Sequence, residues 1–293
     1  RSSLQAVKRS NDPSIFFTNL KRLKSIRKIG LTNMIECIKI SNKLPLSVVI
    51  VAKNEENRLP SCLAACSFAK EIILVDDEST DRTREIAEAF GARVFKKKMR
   101  NWGEQQTFAI KQATQPWLLL LDCDEIINEE LADSIRKAIE SNENFSYEIK
   151  RVNRFKNFKA THGSLRSDWV PRLMKNKDVE VIGQVHPHIV YPFKLRKLKG
   201  HVDHYTYTSI DAYYEKMNKY CRLSAEKYLA EGKSIYFFRD IVFRPAWAAF
   251  KVYFINLGFL DGKIGFIFAA NHYCYTLQKY LRYYLLKKTK GYF

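Results

Sequence analysis

Hydrophobic residues between positions 44 and 143 fall in short runs, and segments with helical spacing separate these runs. The runs are rich in Val, Ile and Leu, which favours buried strands, and we place four strands at 46–52, 71–77, 92–97 and 117–121. The intervening segments predict helices over 55–68, 79–90 and 103–113. Strands that alternate with helices at this spacing predict a parallel sheet between two helical layers, which is an α/β fold.

The pattern changes after residue 143. Two further strands are expected at 146–155 and 179–191, with a loop between them that contains 169–173. A long helix is expected over 209–231, and residues 234–293, rich in Phe and Tyr, predict more helices. We therefore divide the chain at two places in the pattern. The expected regions are a basic N-terminal extension (1–43), a main domain (44–208) and a C-terminal helical region (209–293).

Acidic side chains stand where three of the predicted strands end. In a parallel sheet these ends share one edge, so carboxylates that are distant in sequence would gather in one crevice. Asp122 and Asp124 are two positions apart and could together hold Mg²⁺ or Mn²⁺, which keep positions open for phosphates. A strand followed by an acidic helix N-terminus also fits this segment. The three groups are Asn54-Glu55-Glu56, Asp76-Asp77-Glu78 and Asp122-Cys123-Asp124-Glu125.

Other ligand-binding patterns are weaker. The chain has no Walker A sequence and no GxGxxG, so it lacks the phosphate-binding glycines of the P-loop and dinucleotide-binding folds. Its six cysteines form no CxxC pair, which indicates free thiols in a reducing cytosol. A zinc cluster is a possible alternative, but it would leave the acidic edge unexplained. Its ligands would be His186, His188, His201, Asp203 and His204.

The formal net charge is +19, and its distribution indicates a negative partner. Residues 44–143 hold more acids than bases, so the positive charge lies in the flanking segments. The aromatic and basic segment 273–288 predicts either a helix at a membrane interface or a core helix with a solvated basic end. The sequence has no clean apolar run of ~20 residues and no signal-peptide pattern. We expect a cytoplasmic protein, peripheral on the inner face of the cytoplasmic membrane, with a basic soluble protein as the alternative; no nucleic-acid-binding motif is present.

Three segments in order resemble a known family. Residues 46–56 (LSVVIVAKNEE), 75–81 (VDDESTD) and 121–125 (LDCDE) are similar to the inverting family 2 glycosyltransferases of GT-A fold. Later segments, among them 169–173 (WVPRL) and 204–207 (HYTY), resemble the branch that contains lipopolysaccharide core β-glucosyltransferases. The resemblance implies a Rossmann-like, mostly parallel sheet in a three-layer sandwich. It also implies a nucleotide-binding half (44–143), an acceptor half (144–208) and a membrane-proximal C-terminal region.

The resemblance assigns roles to particular residues. The donor would be a UDP-sugar, with glucose as the favoured sugar, and the acceptor a lipopolysaccharide core or another lipid-linked saccharide. A divalent cation, Mg²⁺ or Mn²⁺, would neutralise the departing UDP. The implied metal ligands are Asp122, Asp124 and His204. The implied nucleotide-binding residues are Lys53, Asn54, Glu55, Asp76, Asp77, Asp122 and Arg172.

The general base is the point at which the chain departs from the family pattern. Relatives have a glutamate after the histidine of Gly-x-Val-His-Glu, whereas this chain has Pro187, which cannot accept a proton. Candidate substitutes are His186, His188, Asp168 and Glu180; a histidine is chemically suited because its ordinary pKa is about 6.5. Two alternatives stay open at this point: a nucleotidyltransferase acting on a sugar phosphate, and a degenerate glycosyltransferase fold that only binds ligand.

Overall fold

The computed structural model describes residues 43–155, 158, 160–182, 188–207 and 209–289. Three parts of the predictions lie outside these residues. They are the N-terminal extension up to residue 42, the base candidate His186, and Pro187.

The described chain contains ten strands and seven α-helices. The strands are β1 (Leu44–Ala52), β2 (Ala69–Asp76), β3 (Arg93–Lys96), β4 (Trp117–Asp122), β5 (Glu125–Ile127), β6 (Ser146–Phe155), β7 (Asp168–Lys175), β8 (Glu180–Ile182), β9 (His188–Val190) and β10 (Leu195–Tyr207). The helices are α1 (Leu59–Ala65), α2 (Thr83–Ala89), α3 (Trp102–Lys111), α4 (Glu129–Ser141), α5 (Ile210–Ala230), α6 (Arg244–Phe250) and α7 (Gly262–Lys288). Two π-helical segments, Phe237–Phe243 and Lys251–Ile255, flank α6.

Eight of these strands form one mixed sheet in the order β3-β2-β1-β4-β7-β6-β10-β5. The strands β3, β2, β1 and β4 are parallel, and β6 is parallel to β10. The strand β7 runs antiparallel to β4 and β6, and β5 runs antiparallel to β10. The expected α/β class, with a mostly parallel sheet and a C-terminal helical extension, is confirmed.

Two apolar layers cover the parallel half of the sheet. Successive residues of a strand point to opposite faces, so β1 supplies Val48 and Ile50 to one layer and Val49 and Val51 to the other. The helices α1 and α4 pack on the first face, and α3 packs on the second. Each fully buried aliphatic side chain stabilises the fold by roughly 1.5–3 kcal/mol. The acidic edge is therefore built on the most deeply buried part of the molecule.

Three predictions for the second half were wrong. Residues 169–173 belong to the central strand β7 and not to a loop; Pro171 lies opposite Glu148 at a shift in register, where a missing N–H is tolerated. The single strand expected over 179–191 is two short antiparallel strands, β8 and β9. The strands β5 and β10 were not predicted at all. In this half long-range pairing outweighs local pattern.

The C-terminal helices pack on one another and on the end of the sheet. The helix α5 lies where a helix was predicted over 209–231, and it begins after Ser209, whose hydroxyl accepts a hydrogen bond from the Ala212 N–H (2.9 Å). In α7, Tyr280 and Tyr283 are buried, and Tyr228 of α5 contacts both rings. One face of segment 273–288 is therefore packed inside the molecule, while Lys287 and Lys288 at its end are exposed, and both alternatives for this segment stay predictions.

No single helix in the described part of the chain is long and apolar enough to cross a bilayer. The segments Phe237–Ile255 and Gly258–Lys288, which meet at a 70° bend, have the required length and composition only when they are taken together. The bend is tight because Gly265 packs on the backbone of Gly258. A Cβ at Gly265 would lie 1.7 Å from the Gly258 carbonyl oxygen.

Candidate active site

The carboxyl ends of β1, β2 and β4 lie side by side. In the sheet Asp76 pairs with Ala52, and Asp122 pairs with Val51 one residue earlier on the same strand. The two aspartates therefore flank β1 at one edge, and Lys53 follows β1 at that edge. This is the arrangement that the strand pattern predicted.

Hydrogen bonds join the loop after β1 to the loop after β2. Asn54 has a φ of +54°, a left-handed conformation that asparagine tolerates well. Its side-chain oxygen accepts a hydrogen bond from the Thr80 N–H (2.8 Å), and its own N–H donates to Ser79 Oγ (2.9 Å). The Glu55 N–H donates to Thr83 Oγ1 (2.8 Å). These bonds make the two loops one rigid rim.

Asp76 and Asp77 are both buried in this rim. Asp76 accepts a hydrogen bond from the Ser79 N–H. Asp77 accepts from the Met99 N–H (2.8 Å) and from Lys53 Nζ (2.9 Å). Burial by itself raises the pKa of Asp77, but these two donors outweigh it and hold the pKa below its ordinary value. The nucleotide contacts assigned to Lys53, Asn54, Glu55, Asp76 and Asp77 stay predictions.

Asp124 lies beside a histidine from the other half of the sheet. Its Oδ2 is 3.5 Å from His204 Nε2, on β10, and 3.4 Å from Arg58 Nη1. Burial raises the pKa of Asp124, yet the hydrogen bond to His204 and the charges of His204, Arg58 and Lys216 outweigh it and lower the pKa. The carboxylate is therefore ionised at neutral pH and faces a concentration of positive charge.

The pair formed by Asp124 and His204 fits a divalent cation that takes its other ligands from a diphosphate. His204 Nδ1 lies 2.7 Å from the Asn153 amide oxygen, so Nε2 is the nitrogen that faces Asp124. Mg²⁺ in nucleotide sites is commonly held by one or two protein groups, substrate phosphates and water. Within the described residues no group of three or more His, Cys, Asp or Glu is arranged to hold a metal by itself. This applies to the predicted set Asp122, Asp124 and His204 as well as to the described members of the zinc alternative.

Asp122 is oriented differently from Asp124. Arg172 Nη2 donates both to Asp122 Oδ2 (2.6 Å) and to Glu125 Oε1 (2.7 Å). Glu125 is fully buried; burial raises its pKa, and the charge of Arg172 opposes the rise. Arg172 is itself buried, and its guanidinium holds the two carboxylates together from the protein interior. Its assigned phosphate contact stays a prediction.

The charges continue beyond Glu125 to a base candidate. Arg151 Nη1 lies 3.9 Å from Glu125 Oε1, and the Arg151 guanidinium donates to both oxygens of Asp168, at 3.1 and 2.7 Å. Asp122, Arg172, Glu125, Arg151 and Asp168 thus form a row of alternating charge. Alternation lets the row remain partly buried, because each carboxylate has a cation beside it.

Two cavities open along this row of charges. A cavity of about 500 Å³ is lined by Asp122, Arg172 and His188, and His188 is exposed on β9. A cavity of about 690 Å³ on the other side is lined by Asp168 and Lys216. The base candidates His188 and Asp168 therefore border different cavities, and Glu180 lies exposed on β8. His186 lies outside the described residues.

Three basic residues of the site had no role assigned from the sequence. Arg58 contacts Glu55 and Asp124, Arg151 contacts Glu125 and Asp168, and Lys216 lines the larger cavity. The position of Arg58, three residues after Glu55, was a usable signal of an ion pair. Arg151 had no comparable local signal, because its partner Asp168 is far away in sequence, and Lys216 was marked only by the family resemblance of segment 216–220 (KMNKY).

The chain is similar in sequence to known glycosyltransferases. The family model described as "Glycosyl transferase family 2" matches residues 47–220. A lipopolysaccharide core biosynthesis glycosyltransferase, LpsC of Rhizobium meliloti, is 27% identical over 243 residues, which cover 80% of this chain and 90% of the relative. An uncharacterized glycosyltransferase of Rickettsia typhi is 28% identical over 246 residues, which cover 76% of this chain and 80% of the relative.

Solved structures are matched over a smaller part. Glucosyl-3-phosphoglycerate synthase from Mycobacterium tuberculosis, in complex with Mn²⁺ and uridine-diphosphate-glucose, is 24% identical with a TM-score of 0.32. That match covers 42% of this chain and about half (47%) of the synthase. The family match spans more than half of the chain described here. The chain therefore belongs to glycosyl transferase family 2, and it is an enzyme of the glycosyltransferase class.

Proposed function

We propose that this enzyme uses Mg²⁺ or Mn²⁺ to transfer a hexose, with glucose as the expected sugar, from a UDP-sugar to a lipopolysaccharide-core or other lipid-linked acceptor, with inversion. The observation that carries the proposal is the pair Asp124 and His204 beside Asp122. Asp122 ends β4 beside β1 and lines the 500 Å³ cavity, and Lys216, whose charge acts on Asp124, lines the 690 Å³ cavity. Two protein donors next to an open cavity leave room for a diphosphate.

In this proposal the residues of the chain position the donor and receive its charge. A bound divalent cation supplies the charge that stabilises the departing UDP. Asp124 and His204 hold the cation, and Arg172 fixes the orientation of Asp122 from beneath. The positive charges of Arg58 and Lys216 near Asp124 add to the field that favours a diphosphate.

Inversion requires one displacement, in which the acceptor oxygen attacks the anomeric carbon as the bond to UDP breaks. The acceptor hydroxyl proton passes to a general base on the opposite side of the sugar from UDP. His188 and Asp168 each border a cavity beside the acidic edge, and each is a candidate. Replacement by His188→Gln or Asp168→Asn, with kcat measured as a function of pH, identifies the base. The true base variant should lose at least about a hundredfold in kcat while UDP binding is unchanged.

The acceptor assignment has two supports. The relative LpsC carries the name of a lipopolysaccharide core enzyme. The larger cavity is lined by Arg166, Lys216 and Lys251 together with aromatic side chains, which suits a phosphorylated saccharide. The sugar and the acceptor can be identified by incubating nucleotide sugars with extracted core saccharides and measuring product mass.

Calorimetric titration with UDP tests the metal site. The variant Asp124→Asn keeps the shape of the side chain and removes its charge. We expect Mn²⁺-dependent UDP affinity to fall at least about tenfold, or about 1.4 kcal/mol. The control Asp133→Asn, an exposed aspartate on α4, should bind like the wild type. Equal affinities for Asp124→Asn and the control would refute the assigned site.

Product analysis separates the alternatives. Release of UDP together with a glycosylated acceptor supports glycosyl transfer, whereas release of pyrophosphate would indicate nucleotidyl transfer. Pro187, in place of the expected glutamate, is the observation that favours a binding protein without activity. Binding of UDP-sugar with neither transfer nor hydrolysis would establish that second candidate.

A further inference from the structure

The helices that follow α5 expose an unusual number of large apolar side chains. Phe238 is 71% exposed, Phe243 66%, Trp247 59% and Phe266 61%. Others between positions 236 and 267 that exceed 40% exposure are Tyr236, Phe237, Val242, Phe250, Phe254, Ile255, Leu257, Phe259, Leu260 and Ile267. Exposed apolar patches of this extent mark sites of interaction in soluble and peripheral proteins. We call residues 236–267 the aromatic surface.

These side chains form a continuous layer. Along the helical segments Phe243, Trp247, Phe250 and Phe254 recur at intervals of three or four residues, which places them on one face. Trp247 stacks on Phe250 (5.5 Å between ring centroids), and Phe250 contacts Phe254 (4.9 Å). Tyr253 then joins Phe254 to the rings of Phe259 and Phe266 across the bend. Both arms of the bent helical pair therefore contribute to a single apolar face.

The charges around this face are of one sign. Residues 232–289 contain nine Lys or Arg and two acidic residues, Asp240 and Asp261. Asp240 is 1% exposed and is neutralised by Arg239 and Arg244. The Asp261 side chain is turned inward and accepts hydrogen bonds from the Thr161 and His162 N–H groups. No carboxylate of residues 232–289 is thus left free at the surface, so the apolar face has a basic border.

We infer that the aromatic surface inserts into the apolar layer of an anionic lipid bilayer while its basic border contacts the headgroups. Aromatic and aliphatic side chains with a border of Lys and Arg are the composition of segments that lie in a membrane interface. A second copy of this chain is a poorer match, because two surfaces with the same basic border repel each other.

The inserted surface would also place a cavity at the headgroups. Trp247, Ala248 and Lys251 belong to the aromatic surface and also line the 690 Å³ cavity. The same cavity is lined by Asp168, which the row of charges connects to Asp122. A lipid-held saccharide could enter the cavity without leaving the membrane. This use of the cavity rests on the proposed function, whereas docking to the bilayer does not.

Vesicle sedimentation of the full chain tests the docking surface. The double variant Phe238→Ser/Phe243→Ser removes two exposed rings that line neither cavity. The matched control, Ile210→Ser/Leu223→Ser, removes two exposed apolar side chains of α5 (46% and 44% exposed). With vesicles of phosphatidylglycerol and phosphatidylcholine, we expect the ring variant to lose at least about tenfold in partition coefficient. The control should pellet like the wild type.

The remaining outcomes are equally decisive. Wild-type binding that is equal on purely zwitterionic and anionic vesicles would overturn the role of the basic border, and equal binding by both variants would overturn the surface itself. A third outcome would assign the surface to self-association. In that case the wild type does not bind vesicles and is dimeric by light scattering, whereas the ring variant is monomeric. Calorimetric UDP titration of the ring variant should match the wild type, so failure of docking is distinguishable from failure of the proposed activity.

Discussion

Removal of Arg172 tests how the acidic edge is held together. The variant Arg172→Met keeps an unbranched side chain and deletes the cation that contacts both Asp122 and Glu125. Asp122 is 25% exposed, so water can replace part of the lost contact. Glu125 is 0% exposed, and its next cation, Arg151, is 3.9 Å away. The variant therefore leaves a buried carboxylate with little compensation.

The cost depends on pH because Glu125 can take up a proton. Burial already raises the pKa of Glu125 above its ordinary 4.5, and loss of Arg172 raises it further. Because the pKa of Glu125 is raised in the folded state, its carboxyl group does not lower the stability of the fold below pH 4.5. Above that pH it destabilises the fold increasingly as pH rises. Since protonation costs about 1.4 kcal/mol per pH unit above 4.5, the penalty from this charge can reach about 5 kcal/mol at pH 8 and about 0.7 kcal/mol at pH 5.

Urea unfolding followed by circular dichroism measures this penalty. We expect Arg172→Met to lose about 3–5 kcal/mol at pH 8 and much less at pH 5, relative to the wild type at each pH. The double variant Arg172→Met/Glu125→Gln should recover most of the loss at pH 8, because it has no buried charge to neutralise. A loss that is the same at both pH values, or that Glu125→Gln does not relieve, would refute the assigned ion pair.

Two more stability predictions follow from the geometry. Gly200 has a φ of +84°, and a Cβ there would lie 2.3 Å from the Leu131 nitrogen. Gly200→Ala should therefore lower the free energy of unfolding in urea by more than about 3 kcal/mol. The control Gly91→Ala, at φ +78° with no atom near the new Cβ, should lower it by about 1 kcal/mol. Equal losses would refute the close contact at Gly200. Asp77→Asn should lower the free energy of unfolding by about 1–2 kcal/mol at pH 6, and the two proteins should become equally stable in acid. The reason is that the lowered pKa of Asp77 stabilises the fold above about pH 3.8, and this contribution disappears as pH falls through the pKa of the folded state. A gap between the two proteins that persists in strong acid would contradict this.

Local patterns placed most elements of the first half of the molecule. Four strands and three helices were placed from apolar runs and turn residues, whereas β5 and the helix α4 (Glu129–Ser141) were not predicted. The helix expected over 55–68 was too long at its start, because Glu55 bonds across to the next loop instead of beginning a helix. The gathering of Asp76 and Asp122 at one edge followed from strand order alone.

The second half needed contacts that sequence spacing does not show. The strand β7 carries Pro171 and was expected to be a loop, yet it lies between β4 and β6 in the centre of the sheet. Its position brings Arg172 under Asp122, fifty residues earlier in the chain. The strand β10 was also not predicted. The contact between His204 and Asp124 was therefore expected only from the family resemblance.

By itself, the sequence determined the α/β class, the acidic edge and the family, because each depends on short runs of residues and their order. Only the tertiary structure decided which carboxylates are held by which cations, which aromatic side chains stay at the surface, and that Tyr280 and Tyr283 are buried. The physical reason is that burial and ion pairing depend on distances between elements. Local periodicity fixes the faces of an element, whereas the neighbours of each face are chosen by the packing of the whole chain.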